Sequence, residues 1–298
     1  EAGVFDPVPR FTWGVRKVRN CMDDSQCQKE EVCNAGTCAV TWPHLTPADD
    51  DNPAHYQVCS TPSVGDLDGD CIPEIVFNSY NAQNYTANGI LRAIRGDTGE
   101  KLWSITDPAY RSDSAATPAI GDLDYDGSPE VVNPGEGTWL YAVAAAGTIL
   151  WKSDNYSGAG RSGSPSIVNM DLQGNAEIVY GRTVFDSNGA LLWAGAASIG
   201  NSGGVGQLSC VADLDGDLRP EVIAGSTAYE FTGTVGVDFS GAALWTTGAD
   251  GFCGVADFQL DGIPEVVLVR GGSIDVLDGP TGAVLAQFAI PGGGAGGP

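Results

Sequence analysis

Five copies of one acidic motif recur along the 298-residue chain, and their period constrains the fold more than any other feature. They read GDLDGDCIPEIVF from Gly65, GDLDYDGSPEVV from Gly121, VNMDLQGNAEIVY from Val168, ADLDGDLRPEVIAG from Ala212 and ADFQLDGIPEVVLV from Ala256. Their leading positions, Asp66, Asp122, Asn169, Asp213 and Asp257, are separated by 56, 47, 44 and 44 residues. A period of that length marks a propeller, a solenoid or another array of small units. A second pattern keeps step with the first, a glycine followed four residues later by tryptophan: Gly99 and Trp103, Gly147 and Trp151, Gly189 and Trp193, Gly241 and Trp245. The fifth copy, at Gly282, has Ala286 in the tryptophan place.

Between these markers the apolar residues alternate or form short β-branched runs. The first module reads as a strand TPSVGD, an acidic loop, strands EIVFNS and ILRAI, a turn GDTGE and a strand KLWSI. Forty-two glycines and seventeen prolines suit such short strands and tight turns. A lone four-stranded sheet cannot bury both faces, whereas sheets stacked radially cover one another and leave only short edges. The expected fold is therefore an all-β propeller of four-stranded antiparallel blades. Its five recognisable repeats make either a five-bladed ring or part of a seven-bladed one. The recurrent tryptophan is expected to anchor one blade to the next. Residues 1–18 carry a strand, PRFTWGV, that could complete the last blade with Trp13 in the repeat tryptophan's place. Residues 19–58 form a Cys-rich insert and connector, 59–291 the repeats, and 292–298 a Gly-rich tail.

In the pattern DxDxDGxxxE, alternate side chains of a curling loop point to one side, and the carboxylates gathered there repel unless a cation sits among them. An all-oxygen donor set favours Ca2+ over zinc or copper, and magnesium demands stricter geometry. Positions one, three, five and nine offer side chains, and position seven a backbone carbonyl. The expected ligands are Asp66, Asp68, Asp70, Ile72 and Glu74; Asp122, Asp124, Asp126, Ser128 and Glu130; and Asp213, Asp215, Asp217, Arg219 and Glu221. In the fifth loop, Asp257, Gln259, Asp261, Ile263 and Glu265 keep three carboxylates, so weaker binding is expected. The third loop, with Asn169, Asp171, Gln173 and Glu177, keeps two and is expected to be empty or merely hydrogen-bonded. Three to five calcium ions follow from this ranking.

These five copies resemble the FG-GAP or VCBS-type repeats of integrin α-subunit heads and many bacterial secreted proteins, over roughly residues 59–291. The resemblance implies a propeller, commonly seven-bladed, with calcium in the loop joining the first two strands of a blade. It further implies extracellular adhesion or carbohydrate-linked work. The Phe-Gly and Gly-Ala-Pro signatures of that family are largely absent, and Cys71 and Leu218 replace glycine at loop position six.

Eight cysteines in an acidic chain point to an oxidising compartment. Cys21, Cys27, Cys33 and Cys38 lie in a short segment with little to bury, for which disulfides are the usual remedy. Pairing of Cys21 with Cys33 and Cys27 with Cys38 is preferred among three possibilities. A Cys59–Cys71 bridge would clamp the first acidic loop, and Cys210 with Cys253, at equivalent positions of successive modules, suggests a cross-blade bridge. Asn84 and Asn155 head N-glycosylation sequons.

Fourteen basic against thirty-eight acidic residues leave a formal charge of −24, which repels nucleic acid and anionic membrane surfaces. No apolar run approaches the length of a membrane helix. The chain opens at Glu1 without Met or an apolar leader, which fits either a secreted protein after signal removal or a piece cut from a longer chain. His44 and His55, its only histidines, read as solvated loop residues, and no HExxH or P-loop motif occurs. The expectation is an extracellular, non-catalytic protein that recognises a protein or glycan at a surface. A structural subunit of an extracellular polymer, with self-association through an open ring, and a carbohydrate-active enzyme or accessory module are the alternatives.

Overall fold

β-Branched runs cut every few residues by Gly, Asp or Pro cannot lengthen into helices. The computed structural model accordingly holds only strands and two 3-10 turns, Asp24–Gln26 and Pro108–Tyr110, among its described residues. These are residues 51–81, 85–156, 162–200 and 204–292, together with 12–13, 21–26, 31–34, 37–40 and 44–45.

Five four-stranded antiparallel sheets follow one another along the chain, each an up-and-down meander. Blade 1 comprises Ser63–Gly65, Glu74–Ser79, Ile90–Arg95 and Lys101–Ser104; blade 2 comprises Ala119–Gly121, Glu130–Pro134, Leu140–Ala144 and Ile149–Lys152. Blade 3 is built from Ser166–Val168, Glu177–Tyr180, Thr183–Phe185 and Leu191–Ala194. Blade 4 uses Cys210–Ala212, Glu221–Ala224, Thr227–Thr232 and Ser240–Thr246, and blade 5 uses Phe252–Ala256, Glu265–Arg270, Ser273–Leu277 and Val284–Ala289. The first strands of consecutive blades lie side by side. Four apolar clusters fill the spaces between blades 1 and 2, 2 and 3, 3 and 4, and 4 and 5. This is the expected all-β propeller arrangement. In every blade the register between third and fourth strands shifts at the same place, after Ala93, Ala142, Val184, Ala228 and Val276. A bulge there adds the twist that radial packing needs.

The glycine and tryptophan of the second pattern meet across blades, not within one. A Cβ on Gly147 would lie 2.6 Å from Trp103 of the preceding blade, on Gly189 2.7 Å from Trp151, on Gly241 2.9 Å from Trp193, and on Gly282 2.6 Å from Trp245. Each indole therefore lies on a glycine that tolerates no side chain, in a turn for Gly147, Gly189 and Gly282 and at the start of a strand for Gly241. The indole N–H groups of Trp103, Trp151 and Trp245 donate to the carbonyls of Ala145, Ser187 and Gly279 of the following blade. Trp193 instead packs edge-on against Tyr229 and Phe231.

Several sequence expectations change on the fold. Thr12–Trp13 pairs in parallel with His44–Leu45 in a two-stranded sheet of its own, while blade 5 takes all four strands from 252–289, so this strand does not complete the last blade. Within the Cys-rich segment, Glu31–Asn34 and Thr37–Val40 form a hairpin, and Cys21 is bonded to Cys33. The Cys27–Cys38 pairing lies outside the described residues. Cys210 and Cys253 are bonded across blades 4 and 5, with Cα atoms 6.0 Å apart. Cys59 and Cys71, by contrast, are free thiols. The first strand, Ser63–Gly65, runs between them: Cys59, before it, turns its thiol to the Ser114 carbonyl of the next segment, while Cys71 lies in the acidic loop that follows it.

His55 is buried, not solvated. The connector it belongs to wraps Arg92, whose guanidinium pairs with Asp51 and donates to the carbonyls of Asp51, Asn52 and His55. Burial, with Arg111 and Arg92 nearby, holds the imidazole below its ordinary pKa. Asn155 is exposed and Asn84 lies outside the described residues. Among the described residues no helix is long and apolar enough to cross a membrane.

Candidate metal centres

The acidic motifs fall where a chain leaving the first strand of a blade must reverse into the second. In each loop two residues take left-handed backbone, at positions four and six: Gly69 and Cys71, Tyr125 and Gly127, Leu172 and Gly174, Gly216 and Leu218, Leu260 and Gly262. Glycine relieves one of the two positions every time and a strained L-residue holds the other, at about 1 kcal/mol. Loss of glycine at position six in the first and fourth loops is thus matched by glycine at position four.

The leading aspartate templates the turn. In the first loop Asp66 accepts the amides of Gly69 at 2.7 Å and Cys71 at 2.9 Å; in the fourth Asp213 accepts Gly216 at 2.7 Å and Leu218 at 2.9 Å. Asp122 accepts Asp126 and Gly127, and Asp257 accepts Asp261 and Gly262. The position-seven residues Ile72, Ser128, Arg219 and Ile263 donate their amides to the position-five carboxylates Asp70, Asp126, Asp217 and Asp261.

The position-nine glutamate has a structural task that the spacing does not announce. One oxygen of Glu74, Glu130, Glu177, Glu221 and Glu265 accepts the amide seven residues earlier, from Leu67, Leu123, Met170, Leu214 and Phe258, at 2.6 to 2.9 Å. All five glutamates are buried at the foot of the loop. Burial, reinforced by neighbouring aspartates, raises the carboxyls of Glu74 and Glu130 and lifts Glu177 and Glu221 to about 7. The backbone amide opposes the rise in each case. The second oxygen of Glu74, Oε1, is buried with no hydrogen-bond partner. A hard cation would satisfy such an oxygen.

Three loops bring acidic oxygens together within 4.8 Å of one another: Asp66, Asp68 and Asp70; Asp122, Asp124 and Glu130; and Asp213, Asp215 and Glu221. These are the three loops with four carboxylates each, and the donor chemistry fits a divalent cation. The first differs from the others because Arg95, paired in register with Glu74, brings its guanidinium to 2.7 Å from Asp70 and 3.6 Å from Asp68. That ion pair, together with the Ile72 amide, lowers the pKa of Asp70. Sequence reasoning overlooked this internal cation, although its place directly across the sheet from the loop glutamate is the signal that could have found it.

The remaining two loops are closed by the protein itself. In the fifth, Gln259 donates its side-chain amide to Glu265 Oε1 at 2.7 Å, and among the described residues no three-acid group forms there. In the third, a hairpin extension of blade 4 folds over the loop, and the Val235 amide donates to the buried Asp171 at 2.8 Å. Arg219 holds that hairpin by donating to the carbonyls of Phe231 and Gly233.

No protein-family model and no curated protein matches the chain. Its fold is similar to solved structures. The Vibrio cholerae biofilm matrix protein Bap1 superposes with a TM-score of 0.70 at 24% identity, covering 85% of this chain and 43% of that one. Bacillus licheniformis rhamnogalacturonan lyase PL11 superposes at 0.56 with 18% identity, covering 90% and 59%, and the exotype rhamnogalacturonan lyase YesX at 0.51 with 21% identity, covering 78% and 46%. The chain thus spans 43% to 59% of the length of these proteins.

Proposed function

We propose that the chain is an extracellular calcium-binding propeller that presents a surface for adhesion or recognition of a protein or glycan. The observation that carries this reading is the recurrence, at the same end of three blades, of three acidic groups whose oxygens lie within 4.8 Å. In blades 2 and 4 the cation would be held by Asp122, Asp124 and Glu130, and by Asp213, Asp215 and Glu221. In blade 1 it would compete with Arg95 for Asp68 and Asp70. A bound calcium supplies positive charge that offsets carboxylate repulsion, and the loop residues fix the first two strands of the blade in register. The disulfides fit an oxidising, extracellular setting.

Calorimetric titration of calcium into chelator-treated protein tests the reading. Two strong sites and a weaker one are expected, with a melting temperature that rises with calcium. No binding heat and an unchanged melting curve would refute it.

A second reading, a structural subunit of an extracellular matrix, is favoured by the likeness to a biofilm matrix protein. Incorporation of labelled chain into a polysaccharide matrix, dependent on calcium, would distinguish it from a soluble binder. We read the chain as non-catalytic. The carboxylates of the loops are engaged in turn templating, and the buried His55 is wrapped into the connector. Absence of polysaccharide cleavage, including of rhamnogalacturonan, is the expected assay result.

A further inference from the structure

Blade 5 breaks a packing rule that the other four blades keep. At the second loop position Leu67, Leu123, Met170 and Leu214 are at most 3% exposed, each inside the cluster that joins its blade to the next. Phe258 holds that position in blade 5 and is 58% exposed. The same change runs across the sheet. The strand pairs Val76 and Ala93, Val132 and Ala142, Val179 and Val184, and Ile223 and Ala228 are fully buried, whereas their counterparts Val267 and Val276 are only half-buried. On the fourth strand Ala286 stands where the tryptophan would, flanked by Leu285 and Phe288 at 50% and 56% exposure. Phe258, Val276, Leu285 and Phe288 line a shallow apolar depression of about 390 Å³.

We propose that this face of blade 5 docks a second copy of the chain, blade 5 against blade 5 about a two-fold axis. Continuity with the four interfaces inside the chain states what the face accepts, since in blades 1 to 4 the equivalent face is covered by another blade's sheet. In a second copy, the receiving faces of blades 2 to 5 are already filled, their residues lying in the four inter-blade clusters. The receiving face of blade 1 carries Arg92 at the position of Tyr141 and is closed by the chain's own 51–55 connector. Among the described residues, the face centred on Phe258 is therefore the open apolar sheet face that one copy can offer another. A contact that uses the same patch on both partners is isologous and closes at two.

Charge and area set the strength. The carboxylate within the face, Glu265, is buried and already bonded to the Phe258 amide and Gln259, so the contact opposes no exposed like charges at its centre. Asp257 and Asp261 adjoin it in sequence, and each copy carries a formal charge of −24, so screening by salt strengthens association. Four strands about 4.8 Å apart and about six residues long make a patch of roughly 19 by 20 Å, smaller than the roughly 800 Å² per partner of a tight complex. The dimer is accordingly weak and concentration-dependent.

Sedimentation equilibrium of the purified chain in calcium-free buffer, from about 1 µM to about 1 mM, spans the range in which so small an interface titrates. The mass is expected to rise from 30.7 kDa to twice that value, and to do so at lower concentration when salt is raised. Phe258→Asp and Leu285→Asp should each shift the midpoint at least tenfold to higher concentration. Val237→Asp, on the exposed tip of the blade 4 hairpin, should leave it unchanged. Matching melting curves for all three variants show that they are folded. A mass fixed at 30.7 kDa throughout, growth beyond the dimer, or a Phe258→Asp and Leu285→Asp pair that associates like the parent overturns the proposal. The measurement contains no calcium, so its failure is separate from failure of the calcium reading.

Discussion

Glu221→Gln should invert its effect on stability when calcium is added, and the size of the inversion follows from where this carboxyl sits. Glu221 is buried beneath Asp213, Asp215 and Asp217, and burial first, then these charges, lift it from 4.5 to about 7. A displacement of that size corresponds to about 3 kcal/mol, which water on the open side of the loop trims to roughly 1 to 3 kcal/mol. Below pH 4.5 the group is protonated in folded and unfolded chains alike and the favourable contribution of its raised pKa is fully present. As pH rises through about 7 the folded protein must ionise a buried group, and that contribution is lost. Glutamine keeps the acceptor for the Leu214 amide and removes the charge. In chelator at pH 8 the variant should therefore be more stable than the parent by roughly 1 to 3 kcal/mol, with the difference vanishing near pH 4.5. With calcium at a hundredfold excess over its dissociation constant the parent gains about 2.7 kcal/mol per site, and the variant, short of one anionic ligand, gains less. Urea unfolding followed by tryptophan fluorescence, at both pH values with and without calcium, reads all four states. A variant less stable than the parent in chelator at pH 8 would show that Glu221 is not an electrostatic burden awaiting a cation.

Asp213→Ala should abolish the calcium response of one site. Asp171→Ala should leave every calcium response intact and still destabilise by about 1 to 3 kcal/mol, because the Val235 and Gln173 amides lose a buried acceptor; calorimetry and melting separate the two outcomes. Trp245→Ala should cost about 3 to 5 kcal/mol in unfolding experiments, since it removes both the indole packed on Gly282 and its bond to the Gly279 carbonyl. A thiol reagent under native conditions should label Cys59 and Cys71, both exposed; unreactive thiols there would restore the loop-clamping bridge.

Much of the architecture was legible because its signals are local. Alternating apolar residues, turn glycines and a fixed period specify a strand, a reversal and a repeat without reference to distant parts of the chain, and five meandering blades follow. Which loops gather three acidic groups was also legible, since carboxylates at alternate positions converge wherever the loop curls, and the three loops with four carboxylates are the three that bring such oxygens together. The Cys59 bridge failed because nearness in sequence says nothing about a strand running between two residues.

By itself, then, the sequence determined the blade, its repeat and the side chains offered at each loop, because those depend on backbone propensity and on neighbours within about ten residues. Only the tertiary structure decided which groups answer one another across blades. Gly147 makes room for Trp103 of the blade before it; the Val235 hairpin closes the third loop; Arg95 reaches the first loop from a different strand; and Phe258 is left in water where its four counterparts are covered. Each of these depends on distances between residues remote in the chain, fixed only when the sheets stack.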